Sequence, residues 1–332
     1  MNAALSLVKI VLLLPAFAYA TLWGTLALWY QLPGPAFSVA LTSAIFAAFG
    51  VSATLSIFRP SGRRPFILFG TALAAVLLFW ISLTPPKDGD WSPEVARQVT
   101  GVIDGDTLTL TNFRDFEWRT DEDVTERWTT RSFDLSQIET VDLFMSYWAG
   151  PSMAHLIISF GFADGQYLSW SVEVRRSQGE TFSPVADFFK SNPVSIIAST
   201  EKDVVGLRSN IQRANVHLFR LDIAPADQRI FLEEYVRAAN EIDRSPIFFN
   251  SFFTNCSMSV LKLVNRVGAN LPLDWRVYVN GYLPEYLYDL GRLNTNESIE
   301  TLYRLGDITE RARAHGLTDG FSEAIRVGVP SP

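Results

Sequence analysis

Polar and apolar positions divide the chain into two parts of unlike pattern. Residues 5–30, 37–58 and 66–84 are almost unbroken apolar runs. Each approaches or exceeds the ~20 residues that a helix needs to cross the hydrocarbon core of a bilayer. Trp29-Tyr30 closes the first run and Phe79-Trp80 lies near the end of the third, as in interfacial aromatic belts. Residues 1–86 are therefore expected to form a membrane region with three transmembrane helices. Ala18-Tyr19-Ala20 has the small-residue form of a signal-peptidase site, but the apolar run continues ten residues beyond it, which favours an uncleaved helix.

After Pro85-Pro86 the pattern changes. Residues 98–112 alternate around Asp104-Gly105, which predicts a β-hairpin. Residues 154–162 and 166–175 are β-prone runs around Ala163-Asp164-Gly165 and predict a second one. Residues 194–199 and 216–221 read as further strands, and 135–145 as a short helix or strand. Ile230, Leu232, Tyr235, Val236 and Ala239 make 226–242 an amphipathic helix, while 258–267 is apolar on most faces and reads as a buried helix. The expected class is α+β, with a central antiparallel sheet in one soluble domain over 87–332.

Charge sharpens this division. The chain has 28 basic and 35 acidic residues. Residues 1–84 contain four of the basic ones (Lys9, Arg59, Arg63, Arg64) and none of the acidic ones, leaving 24 against 35 beyond. A domain so acidic lacks the basic footprint of a nucleic-acid binder. Arg59, Arg63 and Arg64 lie in the second connection, and the first has no basic residue. The positive-inside tendency puts that second loop in the cytoplasm and everything after Pro86 outside. We expect a multi-pass protein of a bacterial inner membrane with a periplasmic C-terminal domain.

The chain has one cysteine, Cys256, in Phe253-Thr254-Asn255-Cys256-Ser257. A single thiol makes no intramolecular disulfide, so an ordinary core must hold the domain. Thr254 suits an N-cap, which puts Cys256 in the first turn of the next helix. Helix-start amides and the helix dipole lower a thiol pKa there and can face an oxyanion. A cysteine nucleophile also needs a base. Of His155, His217 and His315, His155 stands on the predicted central strand, where an imidazole can meet a helix start. Glu173 is the candidate orienter of that ring. A three-residue turn through Ala163-Asp164-Gly165 sets Glu173 opposite His155, whereas a two-residue turn moves it to the other face. Glu180, Glu201 and Asp203 are alternatives. The histidines and the cysteine have no metal-ligand spacing, and no nucleotide-binding glycine loop is present, so neither metal nor cofactor is expected. Val-Ile-Asp-Gly-Asp-Thr at 102–107 resembles a strand of staphylococcal-nuclease-like domains, but the match is about seven residues long and the acidic balance opposes a polyanion.

A longer resemblance runs from about residue 98 to 293. Asn112-Phe113-Arg114-Asp115-Phe116, Ala154-His155, Ser159-Phe160-Gly161-Phe162, Ser171-Val172-Glu173-Val174-Arg175 and Gly179-Glu180 contribute to it. Glu201-Lys202-Asp203-Val204, Leu207-Arg208, Phe252-Phe253-Thr254-Asn255-Cys256-Ser257 and Asn280-Gly281-Tyr282-Leu283-Pro284 complete it. Together these segments resemble the Lnb N-terminal periplasmic domain. The resemblance implies a thiol enzyme with Cys256 and His155 as its pair, in a permuted papain-like fold with histidine before cysteine. The family name is attached to lipoprotein N-acylation, which moves a fatty acyl chain to an N-terminal amine. Phospholipid and lipoprotein are thus the implied substrates. The family commonly has two asparagines before its cysteine. Here Thr254 precedes the single Asn255, a departure at the place of the first asparagine; Asn255 and Thr254 are the expected oxyanion or positioning residues. The alternatives are a cysteine hydrolase (peptidase, amidase or lipase) and a non-enzymatic membrane scaffold.

Overall fold

The computed structural model describes residues 2–58, 62–148, 150–266 and 271–332. Arg59 of the loop used for orientation and Val267 at the end of the second predicted helix lie outside the described residues. The chain forms two compact units: Met1–Pro85 with Ser183–Asn192, and Pro86–Phe182 with Pro193–Pro332.

The first unit contains α1 (Asn2–Gln31), α2 (Ala36–Ser56), α3 (Arg64–Ser82) and the short α4 (Pro184–Phe188). Among the described residues three stretches are long and apolar enough to cross a membrane: Val11–Gln31, Ala36–Ser56 and Arg64–Ser82. Apolar side chains gain little by meeting in lipid, so close packing matters there, and small residues permit it. A Cβ on Gly24 would come within 2.4 Å of the Phe46 ring, and one on Gly50 within 2.1 Å of Thr21. The two glycines let α1 and α2 approach reciprocally. The inclusion of 183–192 has no counterpart in the sequence reading. Its Phe189 stacks on Tyr30 at 5.6 Å, and Gln31 donates to the Phe189 carbonyl at 2.7 Å.

The second unit is α+β, built on a mostly antiparallel sheet. Its strands are β1 (Thr100–Asp104), β2 (Thr107–Arg114), β3 (Glu117–Trp118), β4 (Val124–Thr125) and β5 (Trp128–Asp134). They continue with β6 (Ile138–Tyr147), β7 (Ala154–Phe162), β8 (Tyr167–Val174), β9 (Val194–Ser199) and β10 (Asn215–Arg220). The main sheet runs β1-β2-β9-β8-β7-β6-β10 with β5 on β2, and β3 pairs β4 separately. Among the described residues only β2 and β9 pair in parallel. Both predicted hairpins form. The first turns through Gly105-Asp106, one residue later than Asp104-Gly105, because Gly105 takes the positive φ (60°) at the first turn position. Residues 135–145 combine both expected possibilities, a single turn at Leu135–Gln137 followed by β6.

The helices are α5 (Glu201–Gly206), α6 (Pro225–Arg244), α7 (Cys256–Arg266), α8 (Trp275–Tyr278), α9 (Leu283–Asp289), α10 (Ile299–Gly306), α11 (Thr309–His315) and α12 (Phe321–Arg326). They cover both faces of the sheet, so its central strands are buried on both sides. Leu156, Ile158, Trp170 and Val172 pack with Phe231, Tyr235 and Val236 of α6 and with Val260, Leu261 and Leu263 of α7. Ile157 and Leu218 pack on the other side with Val204 and Val205 of α5, Ala312 of α11 and Ile325 of α12. Each large apolar side chain so buried contributes about 1.5–3 kcal/mol. The helix predicted over 258–267 begins at Cys256 and buries one face, through Ser257, Val260, Leu261 and Leu263, rather than most faces.

Candidate active site

The turn of the second hairpin decides the position of Glu173. Phe162 N–H donates to the Gln166 carbonyl at 3.0 Å, and Gly165 takes φ 82°. The loop is therefore the three residues Ala163-Asp164-Gly165. Ile157 then pairs with Ser171, and the same register carries His155 to Glu173. His155 Nε2 lies 3.0 Å from Glu173 Oε1 and 2.7 Å from Ser171 Oγ. Ser171 also donates to Glu173 Oε1 at 2.7 Å. Ser171 was not singled out by sequence reasoning, although its place two residues before Glu173 on one strand puts both on one face.

Glu173 has a third partner, Arg208, which donates to the same oxygen at 2.9 Å. Arg208 sits in a π-helical turn, Leu207–Ile211, which continues α5. Such turns widen the helix locally and recur at functional sites. Burial acts to raise the Glu173 pKa, but His155, Arg208 and Ser171 outweigh it and hold the carboxyl well below its ordinary value. The alternative carboxylates are engaged elsewhere. Asp203 takes Arg114, Trp118 and the Phe116 N–H. Glu201 takes Arg326 and Ser159. Glu180 accepts from Ser177 N–H.

Cys256 is the first residue of α7. Asn255 caps this helix, not Thr254: its Oδ1 accepts the Met258 N–H at 2.8 Å, three residues on. Its Nδ2 donates to the Ser251 carbonyl at 2.7 Å. Thr254 Oγ1 instead donates to the Phe248 carbonyl at 3.0 Å. Thr254 and Asn255 thus hold the turn before the cysteine, and among the described residues their side chains make no hydrogen bond to the sulfur. The shift of one residue keeps Cys256 in the first turn. Asn255 also accepts the Ser259 N–H through its carbonyl. The N–H groups of Cys256 and Ser257 therefore head the helix without an intrahelical acceptor, by position.

The thiol lies near enough to His155 and the Leu156 backbone for both to act on its pKa, and Ser257 Oγ is 3.9 Å from the sulfur. Since His155 Nε2 faces Ser171 and Glu173, Nδ1 is the nitrogen left for the thiol. Burial alone would raise the thiol pKa, but His155 and the Leu156 contact bring it below its ordinary value of 9. Burial likewise disfavours a charged imidazole. Glu173 and the sulfur overcome it and push His155 up to about 9. Both directions favour a thiolate–imidazolium pair.

Asn280 joins the cysteine to the histidine strand. Its Nδ2 lies 3.6 Å from Cys256 Sγ, 2.9 Å from Ser257 Oγ and 2.7 Å from the Ala154 carbonyl. Its Oδ1 accepts the Ala154 N–H at 3.0 Å, which fixes the orientation of the amide. Asn280 was noticed in the sequence only as part of the family resemblance, without a role. The next residue must be glycine, because a Cβ on Gly281 would fall 2.0 Å from the Pro151 carbonyl oxygen.

His217 and His315 stand apart. His217 Nδ1 contacts the Tyr303 carbonyl at 3.1 Å, and His315 Nε2 the Asp319 carbonyl at 3.0 Å. Among the described residues no group of three or more His, Cys, Asp and Glu could hold a metal ion.

A family model described as the Lnb N-terminal periplasmic domain matches residues 124–281. This is the family that the sequence motifs resemble, and the matched span runs from β4 to the Asn280-Gly281 pair. No significant match was found among curated proteins or among solved structures.

Proposed function

We propose that this protein is a membrane-anchored cysteine acyltransferase that moves a fatty acyl chain from phospholipid to a lipoprotein N-terminal amine. The observation that carries the reading is that Asn280 ties Cys256, at the start of α7, to the residue before His155, whose ring is held by Glu173 and acts on the thiol pKa. A strand-borne histidine preceding a helix-start cysteine fits a permuted papain-like arrangement. The match to the Lnb domain and the three apolar helices point the chemistry towards lipid. In the orientation read from Arg59, Arg63 and Arg64, the catalytic unit is periplasmic in a bacterial inner membrane.

In the first step the Cys256 thiolate attacks the ester carbonyl carbon. Negative charge moves to the carbonyl oxygen, which the Cys256 and Ser257 N–H groups and Asn280 Nδ2 stabilise. The ester C–O bond breaks, the His155 imidazolium gives its proton to the departing alkoxide, and lysophospholipid leaves. Cys256 now holds the acyl group as a thioester. In the second step an amine attacks the thioester carbon and His155 takes the amine proton. The C–S bond breaks, giving an amide and restoring the thiolate. Glu173, Ser171 and Arg208 hold the ring through both steps.

The test is intact mass of the full chain after incubation with phospholipid. An acyl adduct that hydroxylamine removes, and that Cys256→Ser lacks, is the expected result. Absence of any adduct, with no acylated amine product, overturns the reading. Release of free fatty acid with no acylated amine favours the hydrolase, for which the same thiol–imidazole pair serves with water as acceptor.

A further inference from the structure

The three segments that deliver the site residues share a second property. Met153 lies two residues before His155, Phe252-Phe253 three to four before Cys256, and Trp275 and Tyr278 up to five before Asn280. All five are exposed, from 38% for Tyr278 to 60% for Phe253. The segments converge, because Asn280 bonds Ala154 and reaches Cys256, and Gly281 N–H donates to the Ser152 carbonyl. At ~3.5 Å of chain per residue, Met153, Phe253 and Tyr278 each lie within about 11 Å of the residue they precede.

The exposed phenyl rings stand on a fixed turn. Asn250 Oδ1 accepts the N–H groups of Phe252 and Phe253 at 3.0 and 3.1 Å, and its carbonyl accepts the Thr254 N–H. Lys262 donates to the Phe253 carbonyl at 2.9 Å. A tightly bonded turn that leaves Phe253 60% exposed keeps apolar surface on display, and surface of this kind marks a binding site.

We propose that Met153, Phe252, Phe253, Trp275 and Tyr278 form a rim that inserts into the lipid surface of the bilayer, with the site opening between them. Two observations select lipid over another occupant. The same chain carries three membrane-length helices, and only residues 83–90 separate α3 from the Trp91–Ser177 bridge. Those eight residues extend about 30 Å at most, a short tether to the apolar helices. The rim also combines Phe with Trp and Tyr, whose rings are favoured at the level of lipid headgroups. The part of the chain beyond residue 84 is acidic, so attachment is through apolar insertion rather than attraction to anionic lipid. The inference rests on the acyltransferase reading only in naming bilayer phospholipid as the source of the acyl group.

The full-length Cys256→Ser protein carrying Phe253→Cys or Tyr278→Cys, with exposed Asp121→Cys as control, is labelled with a nitroxide and reconstituted in phosphatidylcholine vesicles. At 253 and 278, dissolved oxygen is expected to relax the label about threefold more than a water-soluble nickel chelate does, and the control shows the reverse. Raising salt from about 0.05 to 0.5 M leaves this unchanged. Water-like accessibility at both positions overturns the proposal. Dipolar broadening between labels at 253 also overturns it, by showing a second copy on the rim. In otherwise unaltered protein, Phe252→Ser with Phe253→Ser should slow Cys256 acylation from vesicle lipid about tenfold and leave alkylation by iodoacetamide unchanged. Unslowed acylation overturns the docking role. Labels that dock, in a protein whose Cys256 never gains an acyl group, overturn the acyltransferase reading and leave the rim standing.

Discussion

Asn280 Nδ2 stands 3.6 Å from Cys256 Sγ while the same side chain closes two hydrogen bonds with the backbone of Ala154, the residue before His155. One amide therefore sets the spacing of Cys256 and the His155 strand and places a donor beside the sulfur. Asn280→Ala is expected to lower acyl transfer about 10²–10³-fold, the usual effect of losing an oxyanion donor. It also leaves the Ala154 N–H and carbonyl without these partners, at about 1–3 kcal/mol for a buried group. Comparing turnover with thermal unfolding separates the two effects. A variant with full turnover refutes the donor role.

Glu173→Gln removes the charge that holds His155 up to about 9. The ring then loses its proton at lower pH, and the thiolate loses its counter-ion. The rate of alkylation by iodoacetamide against pH should show the Cys256 apparent pKa moving up in the variant. An unmoved profile would show that Glu173 does not act on the thiol through the ring.

Stability should follow His155 with a definite sign. Its folded pKa is raised above 6.5, so its contribution is fully present below about 6.5 and disappears as pH rises through about 9. Glu173 acts oppositely: its lowered pKa gives stability present above 4.5 and lost on acidification. The Cys256 thiol also has a lowered pKa and opposes His155 at the alkaline end, so the measurement is made in Cys256→Ser. Urea unfolding of that variant is expected to weaken as pH rises above 6.5, over a window that ends earlier without the sulfur, and less so when Glu173→Gln is added. Equal slopes would exclude the pair as their source.

Asn255→Ala removes an N-cap, at a cost of about 1 kcal/mol. This corresponds to a fall of about 2–4 °C in Tm for a domain of this size. Thr254→Ala, which frees only the Phe248 carbonyl, should cost less. If Thr254→Ala proves the more damaging, the assignment of the cap to Asn255 is wrong.

Gly281→Ala forces a methyl group onto the Pro151 carbonyl, which belongs to the backbone and has no rotamer with which to yield. The 151–154 segment must move, and His155 with it. Loss of soluble yield or of Cys256 reactivity is expected, whereas Gly291→Ala, with open space at its Cβ but a positive φ of 64°, should cost only about 1 kcal/mol. Retained stability and reactivity in Gly281→Ala would count against this close packing.

The apolar helices, both hairpins and α6 were legible because each rests on local pattern: run length, period two, period 3.6, or a turn signal. Glu173 was half legible. Its strand was evident, but a difference of one turn residue decided its face, and either turn suits Ala163-Asp164-Gly165. The cap was misplaced by one residue because Thr254 and Asn255 are both good caps, and the choice depends on the Phe248 and Ser251 carbonyls brought close by the preceding turn.

The sequence by itself determined an acidic α+β domain behind three apolar helices, and a single thiol in the first turn of a helix. Tertiary structure alone decided which groups surround that thiol and His155. Ser171, Glu173, Arg208 and Asn280 are 85, 83, 48 and 24 residues from Cys256 along the chain, counted from their numbers. No local periodicity links positions so far apart. The three-residue turn, the π-helical turn after α5 and the close approach at Gly281 bring them together, and each is a matter of a few ångströms of backbone.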